Sequence, residues 1–403
     1  MNVKIYPSKA CGEITAPPSK SLSHRALICG ALSENSKLNN ITHGTHSVDV
    51  GVTENALSQL GASLCVIGER VTVGGLDPFS PCENSVIDCN ESGSSLRFLI
   101  PLCLISGKKI TLIGAKRLFE RPLGVYEDIC REQGLMFEKG ESSVTVCGML
   151  KSGNYRVPGD ISSQFISGLL FALPLLDGIS IIEVTGKFES ASYIDLTLDT
   201  LSRFGIRITR NQNRFIIIGN QKYKNAEYTV ESDCSNAAFL QALDFLGGEV
   251  KVNGISENTL QGDRVYNDIF AAMRNGEREF DLSDCPDLAP ILFAVAAANG
   301  GAKFIGTKRL KIKESDRAEA MAQELAKFGK TVEVGENHVV IGGEPLKAPE
   351  SLLYGHNDHR IVMSLAVLCT LVGGEIEGAE AVSKSYAFFF KDLEKLQIKL
   401  EIK

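Results

Sequence analysis

The chain has 403 residues and a mass of 43.6 kDa, and at roughly 100–200 residues per domain it needs two cores. An apolar fraction of 44% and a charged fraction of 23% exclude disordered and fibrous classes. A formal charge of −7 and the lack of Trp argue against a nucleic-acid platform, although a local Lys/Arg cluster can still focus potential on a small anion.

The opening, Met1-Asn2-Val3-Lys4-Ile5-Tyr6-Pro7, has no signal-peptide core, and no apolar run reaches the ~18–20 residues that span a bilayer. Eleven cysteines without a Cys-x-x-Cys pair suit reduced thiols, so the expected compartment is the cytoplasm. Zinc-finger spacing is absent.

Along the chain one phrase recurs, a short Ser/Asp stretch followed by a small-residue apolar run. It reads Ser19-Lys20-Ser21 before Ala26–Leu32, then Ser92-Gly93-Ser94-Ser95 before Leu96–Ile105. Ser162-Ser163-Gln164 precedes Phe165–Leu176, and Ser232-Asp233-Cys234-Ser235 precedes Ala237–Leu246. Ser283-Asp284-Cys285-Pro286-Asp287 and Asn357-Asp358-His359-Arg360 introduce Leu288–Ala298 and Ile361–Val372. The starts lie about 70 residues apart, with one shorter gap of about 50, the mark of a repeated unit. Ser or Asp before an apolar run is how any single helix begins; six copies, several with embedded Lys or Arg, favour a repeat.

Within a unit the run ends near Gly and a strand follows, as at Lys109–Ile113, Ser180–Val184 and Glu249–Val252. An amphipathic helix comes next: Ala318, Met321, Leu325 and Phe328 form one stripe, and Leu196, Leu198, Leu201 and Phe204 nearly another. A β-pair closes the unit, as in Arg207–Thr209 with Phe215–Ile218 and Thr331–Val334 with Val339–Ile341. The six runs are apolar all round, so they are expected as buried helices surrounded by sheet. Capped helix N-termini with free N–H groups favour anions.

Lys20, Ser21, His24 and Arg25 open the first buried helix, and Ser21 and Arg25 at i, i+4 share a face fit for a phosphate or carboxylate. The string Pro17-Pro18-Ser19-Lys20-Ser21 with His24-Arg25 resembles the 5-enolpyruvylshikimate-3-phosphate synthase family, the 3-phosphoshikimate 1-carboxyvinyltransferases. The likeness continues through Ser92-Gly93-Ser94-Ser95-Leu96-Arg97, Arg121-Pro122-Leu123-Gly124, Ser162-Ser163-Gln164-Phe165 and Ser190 with Tyr193-Ile194-Asp195. It ends with Asp284-Cys285-Pro286-Asp287, Lys313-Glu314-Ser315-Asp316-Arg317, Asn357-Asp358-His359-Arg360 and Lys384-Ser385-Tyr386.

That resemblance implies an α/β fold of two similar domains, each of three βαβαββ units with buried parallel helices surrounded by sheets. One domain would take residues 1–18 with 231–403, the other 19–230, with the active site in the cleft between them. The implied reaction moves the enolpyruvyl group of phosphoenolpyruvate to the 5-hydroxyl of shikimate 3-phosphate and releases phosphate, in the shikimate pathway to aromatic amino acids. Glyphosate competes with phosphoenolpyruvate in this family. No cofactor and no metal are implied, and the partners are the two small molecules, with a monomer expected and no nucleic acid or membrane. Two multiply charged anions in contact need excess cations and helix N-termini, while proton transfers at a hydroxyl and a methylene need positioned acids and bases.

Carried over by motif, Lys20, Ser21, Arg25, Ser162, Ser163, Gln164, Ser190, Tyr193, Asp287 and Lys313 would bind shikimate 3-phosphate. Lys20, Gly93, Arg121, Gln164, Arg317, Arg360 and Lys384 would hold phosphoenolpyruvate. Asp287 resembles the base for the 5-hydroxyl and Glu314 the acid for the methylene carbon, with Lys20 close to the bridging oxygen. Plainer readings stand beside these. Asp287 could be a helix N-cap, Gly93 a turn glycine with positive φ, and Arg317 a partner of Glu314 or Asp316 on a solvated helix face. Lys313 and Arg317 at i, i+4 are expected to share a helix face. His43 and His46 read as a polar turn, and Cys89, Cys234 and Cys285 as small buried residues.

Glu91 and Arg309 depart from the family pattern, as does Tyr386-Ala387-Phe388 after Lys384. The rivals are a sister enolpyruvyl transferase acting on a UDP-sugar, an RNA-phosphate cyclase, and a non-catalytic anion-binding protein. Lys20-Ser21 with Arg25, and Ser162-Ser163-Gln164, favour the smaller acceptor.

Overall fold

The computed structural model describes residues 1–41, 47–81 and 85–403. Its chain divides into two compact units: Met1–Pro17 with Glu231–Lys403, the terminal unit, and Pro18–Val230, the central unit. Each has its own apolar core.

Three four-stranded sheets build the central unit. In spatial order they are Glu227–Thr229, Ser36–Asn39, Arg70–Gly74 and Ser63–Ile67; Val86–Asp88, Ile110–Ile113, Ser143–Cys147 and Met136–Lys139; and Asn154–Pro158, Ile179–Thr185, Arg214–Ile218 and Ile208–Asn211. Each begins with a parallel pair and continues with two antiparallel ones. Side chains alternate as a one-faced sheet requires: Phe215 and Ile217 are buried, Ile216 and Ile218 exposed.

Nine of the helices are numbered in chain order: α1 Lys20–Ala31, α2 Val48–Leu60, α3 Gly93–Cys103, α4 Ser163–Ala172 and α5 Ala191–Arg203 in the central unit. In the terminal unit they are α6 Cys234–Phe245, α7 Ala289–Ala298, α8 Arg317–Lys327 and α9 His359–Val372. The six apolar runs are α1, α3, α4, α6, α7 and α9, and nearly every residue of each is buried. In α5 the buried stripe is Ile194, Thr197 and Leu201; Leu198, counted in that stripe from the sequence, is only half-buried.

The terminal unit repeats the sheet pattern twice, in Leu353–Tyr354, Gly374–Glu377, Asn2–Ile5 and Leu400–Ile402, and in Glu279–Asp281, Ala302–Ile305, His338–Ile341 and Val332–Val334. Its third sheet is only Glu249–Asn253 beside Cys11–Thr15. The short repeat interval explains this difference from a full βαβαββ unit. Helix Tyr266–Arg274 leads into the next sheet's strand Glu279–Asp281, leaving no chain for a closing β-pair.

Helices α3 and α4 meet at Gly168. Tyr126 Oη donates to Arg97 O at 2.7 Å and shares that proton with Phe165 O at 3.2 Å, bridging the two helix backbones. A Cβ on Gly168 would run into that hydroxyl and lie 2.5 Å from Arg97 O. Gly168→Ala should therefore cost about 2 kcal/mol by overpacking and lower the calorimetric Tm by roughly 4–8 °C. Gly51 on α2 is the contrasting case, since a Cβ there would meet no heavy atom within 4 Å. Gly51→Ala should gain about 0.5–1 kcal/mol of helix propensity and raise Tm.

Burial pushes the Glu54 carboxyl on α2 up to about 7. Between its unfolded value near ~4.3 and about 7 the folded chain binds the extra proton, so stability falls as pH rises through that window. Glu54→Gln removes the titration. Melting curves from pH 5 to 8 should show little difference at pH 5 and a rising advantage for Gln that levels off above about 7. A constant offset at every pH would contradict this.

Candidate active site

In the central unit the first turn of α1 is fixed by Ser19, whose hydroxyl accepts from Leu22 N. Lys20 Nζ donates to Asp49 Oδ2 at 2.9 Å, both side chains being mostly buried. Asp49 lies in the first turn of α2, where the helix end favours a carboxylate. Arg25 is 3% exposed and donates from Nε to Thr197 Oγ1 (2.8 Å), from Nη1 to Ser21 O (2.6 Å) and from Nη2 to Tyr193 O (2.9 Å). Burial lowers its pKa to about 10, so it is a cation at neutral pH. Three of its five N–H groups are used by these bonds. Ser190, next to α5, holds φ +57° and is buried, an uncommon conformation for a residue with a Cβ.

Gly93 is the first residue of α3 and is capped by Ser92, whose Oγ accepts from Ser95 N at 3.2 Å. Its φ is not positive, so the turn-glycine reading fails. Close approach holds instead: a Cβ there would lie 2.6 Å from Arg121 Nη1 and 2.9 Å from Arg97 Nη1. Arg97 donates to Gln164 Oε1 and to Pro122 O, each at 3.0 Å, and Gln164 Nε2 donates to Ser94 Oγ at 3.0 Å. Ser162 caps α4 by accepting from Gln164 N, with Ser163 buried beside it. The structure thus joins Gly93, Arg121 and Gln164, and separately Ser21, Arg25 and Tyr193.

In the terminal unit the expected residues converge on Asp287. Its carboxylate accepts from Lys313 Nζ (3.1 Å), Arg317 Nη1 (2.8 Å) and Arg360 Nη2 (3.2 Å), and its carbonyl from Arg360 Nη1 (3.0 Å). No side chain caps the turn that contains it, so the N-cap reading fails. Burial alone would raise its pKa, but the charges of Arg360, Lys313 and Arg317 hold it well below the carboxylate range. For Lys313, burial outweighs Asp287 and lowers its pKa.

Arg317 is 1% exposed, which overturns the solvated-face reading. Besides Asp287 it donates to Glu314 Oε2 at 2.7 Å and to Asp358 Oδ2 at 2.9 Å. Asp316 caps α8 by accepting from Glu319 N. Lys313 is extended and precedes α8, so it does not share a helix face with Arg317; Asp287 brings them together. Lys384 Nζ donates to Asn357 O at 2.6 Å, beside the start of α9, despite the unusual Tyr386-Ala387-Phe388. Arg309 Nη2 is turned to Ser283 O.

Sequence reasoning assigned no role to Asp49, Arg97, Thr197, Asp263 or Asp358. Asp358 was legible only as part of Asn357-Asp358-His359-Arg360. It caps α9 through Arg360 N (2.9 Å) while binding Arg317. Asp263 is buried, accepts from Ser235 Oγ, and is raised to about 6 by burial and then by the Asp287 charge. Buried Cys89, Cys234 and Cys285 have thiols pushed far up by burial, consistent with an inert role. Among the described residues no group of three or more His, Cys, Asp or Glu could hold a metal ion; His43 and His46 lie outside them. No helix of the described residues is long and apolar enough to cross a membrane.

Comparison with known proteins bears on the fold and the family. The fold is similar to EPSP synthase from Acinetobacter baumannii (TM-score 0.79, 23% identity, all of both chains) and to the enolpyruvyl transferase NikO from Streptomyces tendae (TM-score 0.79, 14% identity, 99% and 98%). The expected α/β enolpyruvyl transferase-like architecture is therefore the one found. Curated 3-phosphoshikimate 1-carboxyvinyltransferases from Clostridium botulinum strain Eklund 17B and Clostridium kluyveri are each 42% identical, over 98% of this chain and 96% and 97% of theirs. The family model for EPSP synthase (3-phosphoshikimate 1-carboxyvinyltransferase) matches residues 6–393, and the chain belongs to that family.

Proposed function

We propose that this chain transfers the carboxyvinyl group of phosphoenolpyruvate to the 5-hydroxyl of shikimate 3-phosphate, with release of phosphate. One observation carries the reading beyond family membership: Lys313, Arg317 and Arg360 surround a single half-buried carboxylate, Asp287, with Glu314 bound to the same Arg317. Such a cluster can bind an anion and also move protons. The same reading has the chain acting as a monomer in the cytoplasm.

The residues take the following roles. Asp287 accepts the 5-hydroxyl proton as that oxygen bonds to C2 of phosphoenolpyruvate, while Glu314 gives a proton to C3, making a methyl group. The C2–phosphate oxygen bond then breaks, C3 returns its proton, and phosphate leaves with Lys20 at the bridging oxygen. Arg121, Arg317, Arg360, Lys384, Gly93 and Gln164 hold phosphoenolpyruvate. Ser21, Arg25, Ser162, Ser163, Ser190, Tyr193 and Lys313 hold shikimate 3-phosphate. A carboxylate pressed down by three cations is a weak base. A bound phosphate or carboxylate competes for Arg317 and Arg360, weakens their hold on Asp287 and raises its proton affinity. The base thus gains strength when the substrate arrives.

Phosphate release should require both substrates together; release from phosphoenolpyruvate with a UDP-sugar in place of shikimate 3-phosphate would overturn the assignment. Asp287→Asn should lower kcat by roughly 10²–10⁴, since the lost function is proton transfer; Tm should fall, because three cations lose their shared carboxylate, while binding of the anionic substrates is not weakened. Near-normal turnover in that variant would remove Asp287 as the base. Gly93→Ala keeps a helical φ but must displace the Arg121 guanidinium. It should raise the KM for phosphoenolpyruvate roughly 5- to 30-fold, for a cost of about 1–2 kcal/mol, and the glyphosate inhibition constant by a larger factor. Inhibition assays at several phosphoenolpyruvate concentrations check this, and equal weakening of both ligands would contradict it.

A further inference from the structure

The two phosphoenolpyruvate-binding ends of the central unit, Lys20 on α1 and Gly93 on α3, are connected by a buried chain of hydrogen bonds with Thr53 at its centre. His24 Nδ1 is 2.7 Å from Thr53 Oγ1, Thr53 Oγ1 is 2.7 Å from Ser95 Oγ, and Ser95 Oγ donates to Ser92 Oγ at 2.7 Å. All four side chains are at most 1% exposed. Ser92 is the residue that caps α3 in front of Gly93.

Each hydroxyl has one proton, which sets the direction of the chain. Ser95 donates to Ser92, so the Thr53 proton lies along the 2.7 Å contact to Ser95 rather than the longer 3.5 Å contact to Asp49 O, and Thr53 accepts from His24 Nδ1–H. His24 is neutral, because burial and then the charges of Lys20 and Arg25 push its pKa well down. The order His24 to Thr53 to Ser95 to Ser92 is thus fully paired at Thr53. One turn earlier on the same helix, Asp49 holds Lys20. Helix α2 therefore grips α1 through Asp49 and Thr53, and grips the α3 cap through Thr53.

We propose that Thr53 is a positioning residue that sets the Gly93 cap of α3 against the Lys20 end of α1, and so the fit of phosphoenolpyruvate. The inference rests on the reaction proposed above. Tolerances at Gly93 are small, because the Arg121 and Arg97 guanidinium groups already leave no space for one methyl. A slight shift of the cap moves Gly93 into those groups or away from them. Arg25 is anchored independently by Thr197, Tyr193 and Ser21, so its share of the hold on shikimate 3-phosphate does not pass through Thr53.

Steady-state kinetics with each substrate varied, together with melting curves, test this on Thr53→Val, Thr53→Ser and Ser95→Ala. Val keeps the shape and removes the hydroxyl; Ser restores it. Thr53→Val, which removes the hydrogen bonds to both His24 and Ser95, should raise the KM for phosphoenolpyruvate roughly tenfold and leave that for shikimate 3-phosphate within about twofold. Thr53→Ser should return both within about twofold. A residue that only fills the core would lower Tm without separating the two constants. An unchanged phosphoenolpyruvate KM in a folded Thr53→Val, or an equal rise in both constants, overturns the inference. If Thr53→Val does not fold, Ser95→Ala cuts the next link and carries the same expectation, with the same overturning results. Wild-type chain that releases no phosphate would fail the reaction itself and the inference with it; release by wild type with no selective effect fails the inference alone.

Discussion

Arg317 divides one guanidinium among Asp287, Glu314 and Asp358 while almost none of its side chain reaches solvent, and the charge state of the terminal cluster follows from that. Burial alone would favour losing its proton, but Asp358, Glu314 and Asp287 outweigh burial and raise its pKa. Burying an ion costs several kcal/mol unless it is paired and hydrogen-bonded on all sides, which these carboxylates accomplish. Removing any one of them leaves charge uncompensated in a dry place. Asp358 is completely buried and also caps α9, so Arg317 at the start of α8 locks two helix ends to each other. Lys384 then reaches the adjacent Asn357 carbonyl, which extends the lock to the C-terminal segment.

The central cluster is built on another rule. Its cations lean on neutral acceptors: Arg25 on Tyr193 O, Ser21 O and Thr197, and Arg97 on Pro122 O and Gln164. Neutral acceptors orient a guanidinium without cancelling its charge, so the field at a bound anion is retained. Asp49 beside Lys20 is the carboxylate seen in this set of contacts. The terminal cluster has carboxylates among its cations and so can exchange protons.

How much of this the sequence revealed depends on whether the signal was local. An all-round apolar run is a local signal, and all six became buried helices. The shortened interval before Ser283 was equally visible, although only the structure shows that it removes a β-pair. Leu198 lies at the edge of the packed face, half-buried against the core, while Ile194 and Thr197 lie at its centre. Among site residues, those in distinctive strings were found. Asp49 and Thr197 were not, because their partners Lys20 and Arg25 lie 29 and 172 positions away. Lys313 and Arg317 show the converse error. Their i, i+4 spacing implied a helix face, whereas Lys313 is extended and the contact runs through a distant carboxylate.

Linkage connects the two tasks of the terminal cluster. If an anion that draws Arg317 and Arg360 away from Asp287 raises that carboxyl's proton affinity, then a proton on Asp287 must raise the affinity for the anion by the same free energy. The relation holds whichever event comes first. In the proposed reaction the proton arrives from the acceptor hydroxyl in the addition step, before negative charge builds on the phosphate that leaves in the elimination step. Protonated Asp287 no longer competes for Arg317, Arg360 and Lys313, so those cations can turn fully to the phosphate. Glu314 shares Arg317 with Asp287 and gives its proton to carbon in the same step, so one carboxyl gains a proton as the other loses one. The two carboxyls therefore exchange charge across one side chain, and the total charge around Arg317 stays constant through the addition step.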